Sequence, residues 1–269
     1  MKQYTLGVIG AGNMGMAIAH GLTATGVPAS DILLFNRDPA KRAANQAAGF
    51  SVTDDYTALY ASSEMVLLSV KPQTFPEVLH TLRETAKNHR PLVLSVAAGI
   101  TFGQMEAVLG ADCPIIRVMP NTPLMLGEGA TQLVKNSAAS EEQLASVRAL
   151  FDTMGVTVVF SDENMLNEVI PYAGSAPAYI YAFAAGRVKS AEAHGIAYDD
   201  AMKLCCQTLI GSAKMLLAGD KSPDELIRQV CSPGGTTIEA VRVLEERGLA
   251  DILAEASDRC IARAYELGK

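Results

Sequence analysis

The chain has 269 residues, with 22 Lys and Arg against 29 Asp and Glu, and a formal net charge of −7. This length is enough for one large domain or two smaller ones. Hydrophobic residues make up 49% of the chain and charged residues 19%, which excludes a disordered protein. The acidic balance, without a cluster of Lys and Arg, argues against nucleic acid as a partner.

Short β-rich segments alternate with helical segments over the first part of the chain. Strands are predicted at residues 5–9, 32–35, 65–70, 92–96, 115–118, 130–134 and 156–160. Helices are predicted between them at residues 14–24, 39–48, 75–85, 102–109 and 140–154. Alternation of this kind predicts an α/β fold, a Rossmann-like domain with a largely parallel sheet and helices on both faces.

The strand patterns stop at about residue 161. Helices are predicted beyond it at residues 163–170, 178–193, 199–218, 223–229, 237–247 and 251–267. We therefore predict a dinucleotide-binding domain at 1–161 and an all-α C-terminal domain at 162–269. A helical domain of about 105 residues that is rich in small apolar residues has a thin core of its own, which favours a dimer.

No secretory signal, membrane span or metal site is expected. A long uncharged stretch, residues 169–186, contains two prolines, and its apolar residues are mostly Ala and Tyr, so a buried helix after a loop is the better interpretation. The five cysteines form no Cys-x-x-Cys pair, and their odd number does not suggest a disulfide framework. A reducing, cytoplasmic compartment is expected.

A glycine-rich motif follows the first predicted strand and opens the first helix. It reads Gly10-Ala11-Gly12-Asn13-Met14-Gly15. In a Gly-x-Gly-x-x-Gly loop, the first Gly makes the tight turn, the second lets the backbone approach a pyrophosphate, and the third allows close helix packing. The strand–turn–helix setting therefore predicts a dinucleotide site rather than an unoccupied turn.

The residues after the second strand bear on the choice of cofactor. An NAD site normally places Asp or Glu there for the ribose hydroxyls. This chain has Asn36 and Arg37, one neutral and one cationic, followed by Asp38. Arg37 suits a 2′-phosphate, so NADPH is favoured, with NADH left possible by the nearby acid.

Further motifs carry a family resemblance. Besides the glycine loop they are Val70-Lys71-Pro72, Ser95-Val96-Ala97-Ala98-Gly99, Arg117-Val118-Met119-Pro120-Asn121-Thr122-Pro123, Gly174-Ser175-Ala176-Pro177-Ala178-Tyr179 and Cys231-Ser232-Pro233-Gly234-Gly235-Thr236-Thr237-Ile238-Glu239-Ala240. With matching spacing over nearly the whole chain, they resemble the pyrroline-5-carboxylate reductases, which complete proline synthesis. The resemblance implies reduction of 1-pyrroline-5-carboxylate to L-proline by NADPH, in a homodimer or a larger assembly of dimers.

The resemblance also implies site residues. With the glycine loop, Asn36 and Arg37, the cofactor contacts become Gly10, Ala11, Gly12, Asn13, Met14, Gly15, Asn36, Arg37, Val70, Lys71, Pro72, Ala97, Ala98, Gly99 and Asn121. The substrate contacts are Ser232, Gly234, Gly235, Thr236, Thr237, Glu163 and Asp220. Among these, the hydroxyl of Thr237 would bond the ring nitrogen and is the expected catalytic group.

Two features of the motifs leave alternatives open. Thr236 with Glu239 three residues later is a capping-box pattern, which would start a helix with or without a substrate. Tyr56 stands where relatives often carry an Asn that approaches the adenosine part of the cofactor, and this departure puts the adenosine contacts in question.

Two other functions compete with the reductase. A 3-hydroxyacid dehydrogenase of similar build would carry a catalytic Lys four residues after a glycine cluster, but the residue four after Gly174 is Ala178. A nicotinamide-nucleotide-binding regulator without turnover would have no use for the Gly- and Thr-rich loop at residues 232–237.

Overall fold

The computed structural model describes residues 2–267. Strands in this range are β1 (Tyr4–Ile9), β2 (Ile32–Phe35), β3 (Ser51–Thr53), β4 (Ser63–Leu68), β5 (Leu92–Ser95), β6 (Ile115–Met119), β7 (Gly129–Lys135) and β8 (Gly155–Val159). They form one sheet in the order β3-β2-β1-β4-β5-β6-β7-β8. All neighbours pair in parallel except β6 and β7, which are antiparallel.

Helices connect the strands and form the rest of the chain. Those of the first part are α1 (Asn13–Ala24), α2 (Pro39–Ala47), α3 (Tyr56–Ser62), α4 (Phe75–Ala86), α5 (Phe102–Leu109) and α6 (Glu141–Asp152). They are followed by α7 (Met165–Glu168), α8 (Ala176–Ala193), α9 (Tyr198–Ala218), α10 (Pro223–Val230), α11 (Thr236–Glu246) and α12 (Leu249–Leu267). The expected α/β class, with a Rossmann-like first part and a helical second part, is confirmed.

The sheet is buried on both faces, as its continuous apolar strands predict. Along β1, Leu6 and Val8 pack into one cluster with residues of α1 and α6. Ile9 belongs to a second cluster, on residues of α3, α4 and α5. These two clusters fix the carboxyl ends of β1, β4 and β5 at one edge of the sheet.

Two short elements are absent from the sequence prediction. They are β3, three residues long, and α3, seven residues long. Neither is long enough to show a periodic pattern. The Asp55 side chain accepts hydrogen bonds from the Thr57 and Ala58 amides and starts α3, while β3 depends on pairing with β2.

Cys113 is a buried thiol whose hydroxyl neighbour, Tyr60, lies 3.7 Å from the sulfur. Burial is the main cause that raises the pKa of the Cys113 thiol, and the thiolate is the reactive form. We expect iodoacetamide at pH 8 to leave Cys113 unmodified in the native protein and to label it in denaturant, as read by mass spectrometry. Labelling of native Cys113 at the rate of a denatured thiol would contradict this account.

The chain forms two compact units. One runs up to Ser175 and includes the chain from Cys260 onwards; the other comprises Ala176–Arg259. The first unit extends beyond the last strand because Leu166, in α7, packs with Met119 and Val134.

In the helical unit, Ala176–Arg259, few hydrophobic residues are buried; they are Val188 and Ala201. Many large apolar side chains are exposed, among them Phe183, Leu204, Leu217 and Leu253. No helix within the described range has the length and apolar character needed to cross a bilayer.

Candidate active site

The glycine loop has the backbone geometry that its motif predicts. Gly10 has φ +100, and a Cβ there would lie 2.7 Å from the backbone carbon and oxygen of Ser69. A Cβ on Gly15 would lie 2.5 Å from the Gly10 carbonyl oxygen. A Cβ on Gly12 would meet nothing within 4 Å. Gly10 and Gly15 are therefore required by packing, whereas Gly12 faces open space.

Helix α1 begins at this open space. Gly12 is its N-cap, and no side chain caps it. The first turn carries no acidic residue. Amide N–H groups at a helix N-terminus and the helix dipole both favour an anion. The start of α1 is thus suited to a pyrophosphate, as expected for Asn13, Met14 and Gly15.

A cavity of about 340 Å³ lies beside the loop, within the first unit. Its lining brings together six predicted cofactor residues: Gly10, Gly12, Asn36, Arg37, Val70 and Lys71. Phe35, Tyr56, Ser69, Thr74 and Val78 also line it. Tyr56 stacks edge-on against Phe35, with ring centroids 5.0 Å apart. The residue that departs from the family pattern therefore adds aromatic surface to the cavity.

The side chains of Asn36 and Asp38 both form hydrogen bonds with nearby backbone groups. The Asn36 side chain donates to the Ala11 carbonyl oxygen at 3.1 Å and accepts from the Asp38 amide at 3.0 Å. The Asp38 carboxylate accepts from the Ala40 amide at 2.9 Å and caps α2. Asp38 therefore has a structural role as a helix cap through Oδ1, and the preference for NADPH over NADH stays a prediction.

Two arginines lie near this end of the cavity. Arg37 is exposed and pairs with Glu77 at 2.9 Å. Arg42 donates to the carbonyl oxygens of Asn36 and Arg37, at 2.7 and 3.1 Å. Sequence reasoning missed Arg42, because the contact depends on α2 folding back over the Asn36–Arg37 turn.

The loops after β4 and β5 lie at the same sheet edge as the glycine loop. The Ser69 amide donates to the Ile9 carbonyl oxygen at 2.9 Å, and the Val96 amide donates to that of Leu68 at 3.2 Å. Strand β4 ends at Leu68, two residues before the predicted end. Val70 and Lys71 are therefore loop residues, as are Ala97, Ala98 and Gly99, and Pro72 begins a short 3-10 helix, Pro72–Thr74.

Asn121 is buried and its amide is already engaged. Its nitrogen donates to the Ala173 carbonyl oxygen at 3.2 Å, and its oxygen accepts from the Ala130 amide at 3.0 Å. The side chain thus ties the segment after β6 to the start of β7 and to the segment before α8. A cofactor contact by Asn121 stays a prediction.

Glu163 binds two groups of its own unit. Its Oε1 accepts from the Arg117 guanidinium and from the Phe102 amide, each at 2.6 Å. Arg117 is only 3% exposed. Neither the pair nor the amide contact was predicted, because strand β6, helix α5 and the segment after β8 meet only in the fold. A substrate contact by Glu163 stays a prediction.

The Gly- and Thr-rich loop of the second unit leads into α11, but the predicted capping box is wrong. Gly235 is the N-cap, Thr236 is already the first helical residue, and no side chain caps the helix. Glu239 instead pairs with Arg242 at 2.9 Å. The helix starts one residue earlier than predicted because Gly234, at φ +71, and Gly235 make the turn. A Cβ on Gly235 would lie 2.5 Å from the Ser232 hydroxyl.

Thr237 lines an apolar cavity of about 400 Å³ within the helical unit. Other residues of this wall come from α9, α10 and α11: Ser212, Met215, Leu216, Pro223, Leu226, Ile227, Gln229, Val230, Cys231 and Val241. The wall is mostly apolar, with the Thr237 and Ser212 hydroxyls among its few polar groups, which is typical of a small-molecule site. Asp220 is exposed in the turn between α9 and α10 and is not among the residues of this wall.

No group of three or more His, Cys, Asp or Glu within residues 2–267 is placed to hold a metal ion.

Comparison with known proteins agrees with the motifs. A family model described as pyrroline-5-carboxylate reductase dimerisation matches residues 163–267, and one described as NADP oxidoreductase, coenzyme F420-dependent, matches residues 5–99. The pyrroline-5-carboxylate reductase of Escherichia coli K12 is 37% identical over 266 residues, 98% of each chain. That of Aquifex aeolicus is 33% identical over 262 residues, 97% of each chain.

A solved structure gives the same result for the fold. The pyrroline-5-carboxylate reductase of Coxiella burnetii superposes with a TM-score of 0.91 at 32% identity, covering 100% of both chains. The resemblance read from the motifs and the expectation of a reductase enzyme are both confirmed. This chain belongs to the pyrroline-5-carboxylate reductase family.

Proposed function

We propose that this protein reduces 1-pyrroline-5-carboxylate to L-proline, the final step of proline biosynthesis, with NADPH as hydride donor. The observation that carries the proposal is the start of α11. Its amide N–H groups lack a side-chain cap, and the second helical residue, Thr237, lines an apolar cavity. An uncapped helix end binds a small carboxylate without an Arg, and the hydroxyl supplies the one polar contact that a cyclic imine needs.

Each group of the helical unit has one task in this mechanism. The Gly234–Thr237 backbone holds the substrate carboxylate at the positive end of α11. The Thr237 hydroxyl, which can donate or accept, holds the ring nitrogen. The apolar wall excludes water, so the reactive carbon is kept for hydride alone.

The reaction makes modest demands on the protein. NADPH supplies the hydride when bound. Hydride adds to the imine carbon, the C=N π electrons become a lone pair on nitrogen, and the proton already carried by the protonated imine remains there. A protonated imine is a strong electrophile, so no side chain has to act as a strong acid. Orientation and contact distance then supply most of the rate enhancement.

The first unit fits NADPH on its own geometry. Gly12 leaves room for the pyrophosphate, and the uncapped start of α1 offers amide N–H groups. Arg37 and Arg42 provide positive charge at the Asn36 turn, where a 2′-phosphate would lie.

Arg37→Ala should weaken NADPH binding by about tenfold and leave NADH binding nearly unchanged, because a charge-assisted bond to the 2′-phosphate is lost. Dissociation constants for both cofactors, from titration of nicotinamide fluorescence, provide the measurement. Glu77→Gln is the matched control: it frees Arg37 from its ion pair and should not weaken NADPH binding. Equal losses for NADPH and NADH in Arg37→Ala would reject the 2′-phosphate role.

One assay separates this function from its two rivals. Purified protein is mixed with NADPH and 1-pyrroline-5-carboxylate, and loss of the reduced nicotinamide absorbance is followed. Absence of turnover throughout neutral pH would reject the reductase. Turnover of a 3-hydroxyacid with NADP⁺ would favour the dehydrogenase, although α8 carries Ala178 in place of the Lys. Tight NADPH binding without oxidation would favour the regulator.

The same proposal covers assembly and compartment. Residues 162–269 would serve substrate binding and dimerisation, and residues 1–161 cofactor binding. The dimerisation model matches 163–267, and the exposed apolar side chains of the helical unit need a covering surface. A homodimer, or a larger assembly of dimers, supplies it. The five cysteines are free, which agrees with a reducing cytoplasm.

A further inference from the structure

Three segments of the first unit meet at one carboxylate: strand β6, the start of helix α5 and the segment after β8. Glu163, after β8, accepts hydrogen bonds from the Arg117 side chain of β6 and from the Phe102 amide, both at 2.6 Å. Arg117 is 3% exposed and Glu163 27% exposed by side chain. A buried guanidinium needs such a partner, because removing one member of a buried pair leaves an uncompensated charge.

Phe102 is the first residue of α5, so its amide N–H has no partner within the helix. A carboxylate at this position satisfies the N–H and also interacts favourably with the helix dipole. The same helix end has a capping box between Thr101 and Gln104. The start of α5 is thus held twice, once from within its own turn and once by Glu163 from a distant part of the chain.

Phe102, whose amide donates to Glu163, directly follows the loop that carries Ala97, Ala98 and Gly99. At its other end, Ser95 lies in β5, opposite Arg117 of β6. The sheet therefore fixes the entry of the loop, and Glu163 fixes its exit. Gly99, with φ +79, is free to adopt many backbone conformations in between, so the shape of the loop depends on both anchored ends.

We propose that Arg117 and Glu163 are positioning residues for the cofactor: Arg117 orients the Glu163 carboxylate, and Glu163 fixes the 96–101 loop in the shape that receives the nicotinamide end of NADPH. The inference rests on the proposed function for the role of that loop. It assigns Glu163 a task that does not involve contact with the substrate.

The sharpest test removes only the N–H. Phe102→Pro deletes the donor at the first helical position, where proline is well tolerated, and Phe102→Ala controls for the lost ring. We expect Phe102→Pro to bind NADPH about tenfold more weakly than Phe102→Ala, because the loop loses its preorganised shape. Equal affinities in two folded variants would overturn the proposal.

A second pair of variants tests the carboxylate. Glu163→Ala should weaken NADPH binding by about tenfold, measured without substrate, while Glu163→Gln, whose amide oxygen still accepts from Phe102, should lie closer to the wild type. Glu141→Gln is the matched control, because that carboxylate pairs with Lys135 and is 83% exposed; NADPH binding should not change.

The outcomes separate this inference from the proposed function. A lowered melting temperature with unchanged NADPH affinity in Glu163→Ala would reduce the pair to a structural role and overturn the inference. A raised KM for 1-pyrroline-5-carboxylate with unchanged NADPH affinity would also overturn it, in favour of substrate contact. Because NADPH binding is measured without turnover, failure of the wild type to reduce 1-pyrroline-5-carboxylate would reject the proposed function alone.

Discussion

Thr237→Ala should lower kcat/KM for 1-pyrroline-5-carboxylate by about a hundredfold, because the variant loses the hydrogen bond that orients the ring nitrogen in the transition state. NADPH affinity should stay within about twofold of the wild type, because the glycine loop lies in the other unit and is untouched. Steady-state kinetics with both substrates varied and a separate NADPH titration provide the measurements.

Thr237→Ser is the control for this prediction. Serine keeps the hydroxyl and removes only a methyl group, so most of the activity should return. Helix α11 should form in all three proteins, because Gly235 rather than a threonine is its N-cap. A parallel loss of NADPH binding and of melting temperature in Thr237→Ala would instead assign the residue a role in folding.

Gly12→Asp should weaken NADPH binding by about a thousandfold, because the carboxylate both caps the amides that would hold the pyrophosphate and repels its charge. The melting temperature should hold or rise, since Asp is a good N-cap and a Cβ on Gly12 meets nothing within 4 Å. Thermal unfolding and NADPH titration would show binding lost without loss of stability.

Two further substitutions separate the effect of the Asp charge on NADPH binding from the effect of an added side chain on stability. Gly12→Asn has a similar size and capping ability without the charge, so it should lose less NADPH affinity than Gly12→Asp. Gly10→Ala should destabilise the fold by about 2–4 kcal/mol, because Gly10 has φ +100 and a Cβ would lie 2.7 Å from the Ser69 backbone. Full NADPH affinity in Gly12→Asp would place the cofactor elsewhere.

The proposed substrate site differs from the common use of Arg for carboxylates. Its positive end comes from the helix backbone, and the nearest charged side chain of the first turn, Glu239, is paired with Arg242. A helix end carries its charge as a fixed dipole that needs no side-chain ordering. A Cβ on Gly234 would meet nothing within 4 Å, so in the proposed site the backbone of the Gly234–Gly235 turn is open to a ligand.

The elements that sequence patterns predicted well are long or are bounded by clear turn residues. Strand β2 is a continuous apolar run, β1 and β5 are mostly apolar, and the glycine loop follows β1 directly. The elements missed were short: β3 exists by pairing with β2, and α3 depends on the Asp55 cap. The Thr236–Glu239 spacing suggested a capping box, but the Gly235 turn had already started the helix.

The sequence by itself was sufficient to determine the α/β class, the dinucleotide loop and the family. Each of these depends on patterns and motifs whose residues are close together in the sequence. Contacts between distant segments could not be determined in this way. Glu163 meets Arg117 and Phe102, and Arg42 meets the Asn36 turn, only after the sheet has been assembled. Spacing in the sequence has no bearing on such contacts, since the strand order and helix packing decide which side chains meet.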